Sequence, residues 1–209
     1  MKRGSATFSF RGHSVVPEAS FGLIVEGSYD EPVYDGLLRR LVAGDVCTRV
    51  RICGGITNLM RLLPAYLREL EHAIAGLAVD KVLVIADSGG KKPAEVEAEM
   101  AARIPRRAYA FVSGVQLCAV QRTMETWLLA DELAISTVAS RRSGREVPYV
   151  QGDLESIQDP KAILRKVLSS AKLDYLPAVC GAIVKESRLE KLRYRCPSFG
   201  RFEQKVHDC

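Results

Sequence analysis

Phe21-Gly-Leu-Ile-Val25 runs directly into Glu26-Gly27, and Val82-Leu-Val-Ile-Ala86 runs directly into Asp87-Ser-Gly-Gly90. Both apolar stretches have the length and composition of buried strands in a parallel sheet that is covered on both faces. The carboxyl ends of parallel strands meet at one edge of the sheet, which is where open α/β sheets bind ligands. The sequence therefore predicts that the carboxylates of Glu26 and Asp87 lie near each other at that edge.

Helical patterns alternate with these predicted strands. Apolar residues at helical spacing predict helices at Pro32–Val42 and Ile56–Leu77, the second capped by Thr57 or Asn58. Between the two helices, Val46–Cys53 alternates with a period of two, which is typical of an edge strand with one wetter face. The first half of the chain is thus predicted to alternate between strands and helices.

The rest of the chain continues this order and then becomes helical. A further helix begins near Pro93, Tyr109–Val112 and Val115–Val120 are short strand candidates, and Met124–Leu133 has a helical pattern. From Glu155 onward only helices are predicted. Because this order requires right-handed crossovers, we expect an α/β fold with a mostly parallel central sheet, helices on both faces and a helical C-terminal extension.

The chain divides into three expected segments. Residues 1–20 are expected to be a loosely ordered N-terminus, residues 21–140 the core that carries the acidic edge, and residues 141–209 a basic helical extension packed on that core. The 209 residues carry a formal charge of +5, and 47% of them are hydrophobic, which suffices for a substantial core.

All of the excess positive charge lies in the last third of the sequence. The first 140 residues contain 16 Lys or Arg and 16 Asp or Glu, whereas the remainder contains 14 and 9. Clustered cations favour phosphate backbones because counterions are released on binding, so nucleic acid, either DNA or RNA, is the expected partner. The candidate contacts are Lys161, Arg193, Arg195 and Arg201. An ordinary solvated basic surface is the alternative interpretation.

Other classes of protein are disfavoured by the composition. The six cysteines and three histidines lack the paired spacing of a zinc site. The first twenty residues contain no continuous apolar segment, and no later stretch approaches about 18 uncharged apolar residues. We therefore expect a cytoplasmic protein without a membrane partner; self-association into a homo-oligomer is left open.

Three further acids extend the chemistry of the predicted edge. Asp30 and Glu31 follow Glu26 closely, at the start of the first helix, where either could reach a metal or merely complement the helix dipole. Glu125 lies among apolar residues and so needs a partner or a metal, the alternatives being an ion pair with Arg122 or a position on an exposed face. Carboxylate oxygens are the ligands that Mg²⁺ and Mn²⁺ prefer, so a divalent-metal site is the leading hypothesis.

The acidic motifs give the chain a family resemblance. With Val25-Glu26-Gly27 ending the first strand, Asp30 four residues after the glutamate, and Asp87 ending a later strand, residues 21–140 resemble the Toprim fold of topoisomerases, primases and OLD-type nucleases. The resemblance implies that Glu26 is a general acid/base or metal ligand and that Asp87 is a metal ligand. Where Toprim domains have Asp-x-Asp, however, this chain has Asp87-Ser88-Gly89.

The remaining motifs are similar to those of uncharacterised bacterial Toprim-like proteins. These motifs are Thr123-Met-Glu-Thr-Trp-Leu-Leu-Ala-Asp131, Asp159-Pro-Lys161 and Arg195-Cys-Pro-Ser-Phe199. Asp159-Pro160 is also a simple helix start, with Asp as the cap and Pro in the first turn. Such proteins are often encoded beside ABC-type ATPases in phage-defence loci, so the resemblance implies an ATPase partner and a role in phage defence.

Three functions compete at this point. The first is a Toprim-type nuclease that uses Mg²⁺ or Mn²⁺ to cleave phosphodiesters, with Glu26, Asp30 and Asp87 at the metal and Glu26 or Glu125 handling a proton. The second is a catalytically degenerate scaffold or regulatory module that binds an ATPase or nucleic acid. A nucleotide-binding or phosphotransfer domain is the third, but no glycine-rich phosphate-binding motif is present.

Overall fold

A parallel four-stranded sheet forms the centre of the computed structural model, which describes residues 19–72, 79–140 and 147–209. The strands are β1 (Ala19–Val25), β2 (Val46–Ile52), β3 (Lys81–Asp87) and β4 (Val115–Val120). Their order is β2-β1-β3-β4, and every neighbouring pair is parallel. The predicted α/β fold is confirmed, with the first and third strands at the centre and Val46–Ile52 at an edge.

Helices surround this sheet and make up most of the C-terminal third. In chain order they are α1 (Asp30–Leu41), α2 (Ile56–Glu71), α3 (Pro93–Ala101), α4 (Glu125–Leu128), α5 (Glu132–Ser140), α6 (Pro160–Ser170), α7 (Pro177–Glu186), α8 (Leu189–Arg195) and α9 (Pro197–Asp208). A short 3₁₀ helix, Leu154–Ser156, precedes α6. None of the helices in the described ranges combines the length and apolar character needed to cross a bilayer.

Each face of the sheet belongs to a separate apolar cluster. Along β3, Leu83 and Ile85 join the cluster that contains residues of α1 and α4–α9. The alternate residues Val82, Val84 and Ala86 join the smaller cluster formed with α2 and α3. Because side chains alternate across a strand, an uninterrupted apolar run is what a strand buried on both faces requires.

Two predicted elements are wrong. Tyr109–Val112 is not a strand: Tyr109 stacks on Phe111 at 5.6 Å, while Val112 is 76% exposed. Met124–Leu133 is not one helix, since α4 ends at Leu128 and α5 begins at Glu132. The break lies at Asp131, whose carboxylate accepts the Ala134 backbone N–H and so acts as the N-terminal cap of α5.

Smaller differences concern element ends. Ala19 and Ser20 belong to β1, not to a loose N-terminus, and residues 1–18 lie outside the described residues. Gly55 precedes α2 with no side-chain cap, so neither Thr57 nor Asn58 caps that helix as predicted. Its predicted end at Leu77 also lies outside the described residues.

Candidate functional site

Four carboxylates and one lysine line a cavity of about 430 Å³ at the carboxyl ends of β1 and β3. The carboxylates belong to Glu26, Asp30, Asp87 and Glu125, and the cation is Lys161. Asp30 and Glu125 are only 8% and 4% exposed. The structure thus brings together all four of the acids singled out as metal-binding or catalytic, with one of the four basic candidates. We call this cavity the acidic cavity.

Backbone hydrogen bonds hold Glu26 at the junction of the central strands. Its Oε1 accepts the Asp87 backbone N–H at 2.7 Å, which joins the ends of β1 and β3. Its carbonyl oxygen accepts the N–H groups of Gly54 and Gly55, at 2.7 and 2.9 Å. These two glycines have φ of +79° and +111°, a backbone region that side-chain-bearing residues rarely adopt. The turn between β2 and α2 therefore requires glycine there.

Asp30 occupies the first turn of α1 and folds back over the loop. Its Oδ2 accepts the Gly27 backbone N–H at 2.7 Å. Its neighbour Glu31 is exposed and lines a different cavity, so the structure distinguishes two acids that the sequence left equivalent.

Glu125 is held by a tyrosine from the C-terminal third. The Tyr175 hydroxyl donates a hydrogen bond to Glu125 Oε1, and no ion pair with Arg122 is formed among the described residues. The Tyr175 ring stacks on Tyr29, with 4.4 Å between the ring centroids. The Tyr29 hydroxyl in turn donates a hydrogen bond to the Tyr175 backbone carbonyl. Sequence reasoning missed both tyrosines, because nothing in a single sequence relates positions 146 residues apart.

A helix start positions Lys161. Asp159 Oδ1 accepts the Ala162 N–H at 2.9 Å and Pro160 begins α6, as the capping interpretation predicted. The Lys161 ammonium lies 5.5 Å and 5.4 Å from the ring centroids of Tyr29 and Tyr175. The cap and the tyrosine pair therefore place one positive charge beside the four acids.

Crowded burial raises the proton affinity of three of these acids. Desolvation is the largest cause for each of them. It raises the pKa of Asp30 to about 7, with Glu26 and Glu125 adding repulsion while the Gly27 N–H and Lys161 act in the opposite direction. The pKa of Asp87 is raised well above its ordinary value by desolvation and by the other three acids. Desolvation also raises the pKa of Glu26 against two backbone hydrogen bonds. The cavity thus has an excess of negative charge that a proton or a cation can relieve.

The other basic candidates lie elsewhere. Arg195 is buried, and its guanidinium donates to the carbonyls of Val150 and Gly152 and not to the protein surface. Arg193 forms a bidentate ion pair with Glu203, with N–O distances of 2.6 and 2.8 Å. Arg201 is exposed on α9 and does not line the acidic cavity. The basic tail therefore does not form one phosphate path with Lys161.

The donor set suits a hard cation, but the ligand set is incomplete. In the described part of the chain, no group of three or more His, Cys, Asp or Glu side chains is placed to hold a metal ion. Mg²⁺ is commonly bound through only one or two carboxylates, with water and substrate phosphate completing the shell. Glu26 and Asp87, joined through a hydrogen bond, meet that smaller requirement, and Asp30 stands beside them.

The hydrogen bond from Tyr175 to Glu125 should contribute measurably to stability. Tyr175→Phe keeps the ring stack but removes the donor, and a bond to a charged acceptor contributes about 1.5–3 kcal/mol. In a double-mutant cycle with Glu125→Gln, we expect a coupling energy of about 1–2 kcal/mol from urea denaturation. Tyr29→Phe is the matched control, since its hydroxyl bonds a carbonyl. Additive effects of Tyr175→Phe and Glu125→Gln would contradict this pairing.

Comparisons with known proteins define the family without defining its activity. Neither the curated proteins nor the solved structures contain a match to the chain. A family match covers residues 25–207, which include all five charged residues of the acidic cavity described above. The chain therefore belongs to the family described as a domain of unknown function, DUF4276.

Proposed function

We propose that this protein is a nuclease that uses Mg²⁺ or Mn²⁺ to cleave phosphodiesters. The observation that supports this proposal is the convergence of four carboxylates and Lys161 on one open cavity at the carboxyl edge of a parallel sheet. The resemblance of the strand-end acids to Toprim domains is consistent with this chemistry. It also suggests an ABC-type ATPase as partner and a role in phage defence.

Each residue has a role in this proposal. Glu26 and Asp87 hold the metal, with Asp30 completing the negative charge around it. When bound, the metal stabilises charge on the phosphoryl oxygens and lowers the pKa of an attacking water. Lys161 offers a second positive charge to the phosphate. Glu125, oriented by Tyr175, is placed to take or return a proton.

Metal binding is the first test. Mn²⁺ is titrated calorimetrically into the wild-type protein and into Glu26→Gln, which keeps the size of the side chain and removes its charge. Binding by the wild type that is lost in the variant, together with Mn²⁺-dependent cleavage of a labelled oligonucleotide, is expected. Glu31→Gln is the control, because Glu31 is exposed outside the acidic cavity. Absence of binding to the wild type, with and without a non-cleavable oligonucleotide, would refute the proposal.

Metal affinity should rise with pH through neutrality. The pKa of Asp30 is raised to about 7, so this carboxyl holds a proton below that pH and must release it to a cation. We expect Mn²⁺ affinity to fall by roughly tenfold per pH unit below pH 7 for each proton displaced. Titrations in buffers of different ionisation enthalpy at pH 6 and 8 count the released protons. An affinity that is constant between these pH values would contradict the expectation.

A scaffold without catalytic activity is the second candidate. It is favoured by the absence of a three-ligand group among the described residues and by Gly89, which stands where Toprim domains have an acid. This candidate binds an ATPase or nucleic acid through the same sheet edge. It predicts that Glu26→Ala leaves partner binding unchanged and that no divalent metal alters the thermal midpoint of the wild type.

A further inference from the structure

Two further cavities adjoin the acidic cavity. A neighbouring cavity of about 360 Å³ shares Glu26 and Asp87 with it and extends along the Ser88–Gly90 turn. A third cavity of about 500 Å³ shares Ile56, Lys91 and Glu99 with the second. The three cavities therefore lie side by side, from the carboxylates along the start of α2, and together we call them the groove.

The far end of this groove is basic. Arg61, on α2, and Arg103, just beyond α3, line the third cavity beside Lys91. Lys91 pairs with Glu99 at 2.6 Å. Arg61 and Arg103 are exposed and form no ion pair with an acid among the described residues. Two uncompensated guanidinium groups thus face a groove whose other end is strongly acidic.

Apolar side chains lie along the groove between the two charged ends. Ile52 lines the acidic cavity and is 39% exposed, and Ile56 lines both other cavities and is 36% exposed. A ligand that alternates anionic groups with flat apolar surfaces complements this pattern. A single strand of nucleic acid has that chemistry, since its phosphates suit guanidinium groups and its bases suit apolar contacts.

We propose that this groove binds a single-stranded segment of nucleic acid. One phosphate of the strand lies at the acidic cavity, and Arg61 and Arg103 hold another phosphate of the same strand. The assignment of the phosphate at the acidic cavity as the one that is cleaved rests on the proposed nuclease function. The Ile56 N–H donates to the Glu26 carboxylate, so α2 starts at the acids. Arg61 follows five residues later on the same helix, about 7.5 Å from Ile56 along the helix axis.

The test separates strand binding from metal binding. Fluorescein-labelled oligo-dT and oligo-U of twelve nucleotides are titrated with protein in EDTA, and anisotropy is followed between 50 and 200 mM salt. The test variant is Arg61→Ala/Arg103→Ala. The control is Lys166→Ala/Lys185→Ala, which removes two exposed charges on α6 and α7 away from the groove. Mn²⁺ titration of each protein is the independent readout, with circular dichroism confirming the fold.

We expect the wild type to bind at least one oligonucleotide and the arginine variant to bind it at least tenfold more weakly. The slope of log affinity against log salt should fall by about 0.7 in magnitude, because the two arginines together neutralise one phosphate and each neutralised phosphate of a single strand contributes about 0.7. The lysine control and the Mn²⁺ affinity should be unchanged. Equal binding by the wild type and the arginine variant, equal losses in both variants, or no binding by the wild type would overturn the inference.

The groove assignment and the nuclease proposal can be refuted independently of each other. Mn²⁺ binding without an effect of the two arginines would remove the groove assignment while leaving the nuclease proposal intact. Loss of strand binding in the arginine variant of a protein that binds no Mn²⁺ would support the groove and remove the nuclease.

Discussion

Asp87→Asn is expected to abolish Mn²⁺ binding and, in the same molecule, to stabilise the metal-free protein. Desolvation and three neighbouring acids raise the pKa of Asp87 in the folded state, so ionised Asp87 opposes folding. The folded state then binds more protons than the unfolded state above the ordinary pKa of about 3.8, and stability falls as pH rises from there. Asn keeps the shape and accepts the same Met124 N–H, but removes the charge.

The gain should be largest at high pH. The gain should shrink towards pH 4, where the Asp87 carboxyl becomes protonated in the unfolded state as well. Urea denaturation in EDTA at pH 4.5, 6 and 8 measures it. Asp80→Asn, at the opposite end of the same strand, is the control and should retain Mn²⁺ binding. A destabilised Asp87→Asn at pH 8 would show that the acids are not in repulsive contact.

Trp127→Ala should cause the largest loss of stability, about 3–5 kcal/mol. The indole is 1% exposed and packs on Tyr34, Phe199 and Phe202, with ring centroids 5.9, 5.3 and 5.2 Å away. Its Nε1–H donates to Ser198 Oγ at 2.8 Å. The residue therefore joins α1, α4 and α9 in one aromatic cluster, and its removal leaves a large cavity.

Two milder variants keep this prediction testable if Trp127→Ala does not fold. Trp127→Phe retains part of the ring packing and should lose less than the alanine variant. Ser198→Ala removes only the hydrogen-bond acceptor and should cost about 1 kcal/mol. Urea denaturation followed by far-ultraviolet circular dichroism gives each value. A loss below 1 kcal/mol for Trp127→Ala would contradict the role of this cluster.

The central strands could be predicted because their local pattern has one structural solution. An apolar run such as Val82–Ala86 must be covered on both faces, and acids that follow such runs must emerge at the sheet edge. Asp131 shows where local reasoning failed. Asp131 lies within a helical sequence pattern, so its role as the cap of α5 was not predicted. Its pairing with Arg188, which donates to it from the backbone N–H and from the guanidinium, was not predicted either. The contact with Arg188, 57 residues away, is one that a local pattern does not reveal.

The residues of the candidate site also differ in how far they could be predicted from local sequence. Glu26 and Asp87 follow neighbouring parallel strands and Asp30 begins the helix after β1, so the strand pattern is enough to predict that they meet. Tyr175 joins them through packing of the C-terminal helices, which a single sequence does not encode locally. Arg195 was assigned to a phosphate surface by its charge, whereas its burial against backbone carbonyls makes it a structural residue. Charge identity without exposure is therefore a weak guide to function.

One face of β1 has a consequence for how the chain matures. Phe21, Leu23 and Val25 share their apolar cluster with residues as distant as Phe199 and Phe202. At 5–20 residues per second, a ribosome makes the last of these on the order of ten to thirty seconds after the strand has been synthesised. During that interval the strand's apolar face lacks its final cover, and the contacts that complete it span most of the sequence, which slows folding. Until α9 has been synthesised, this apolar face of β1 can therefore be covered only by other parts of the nascent chain or by another molecule.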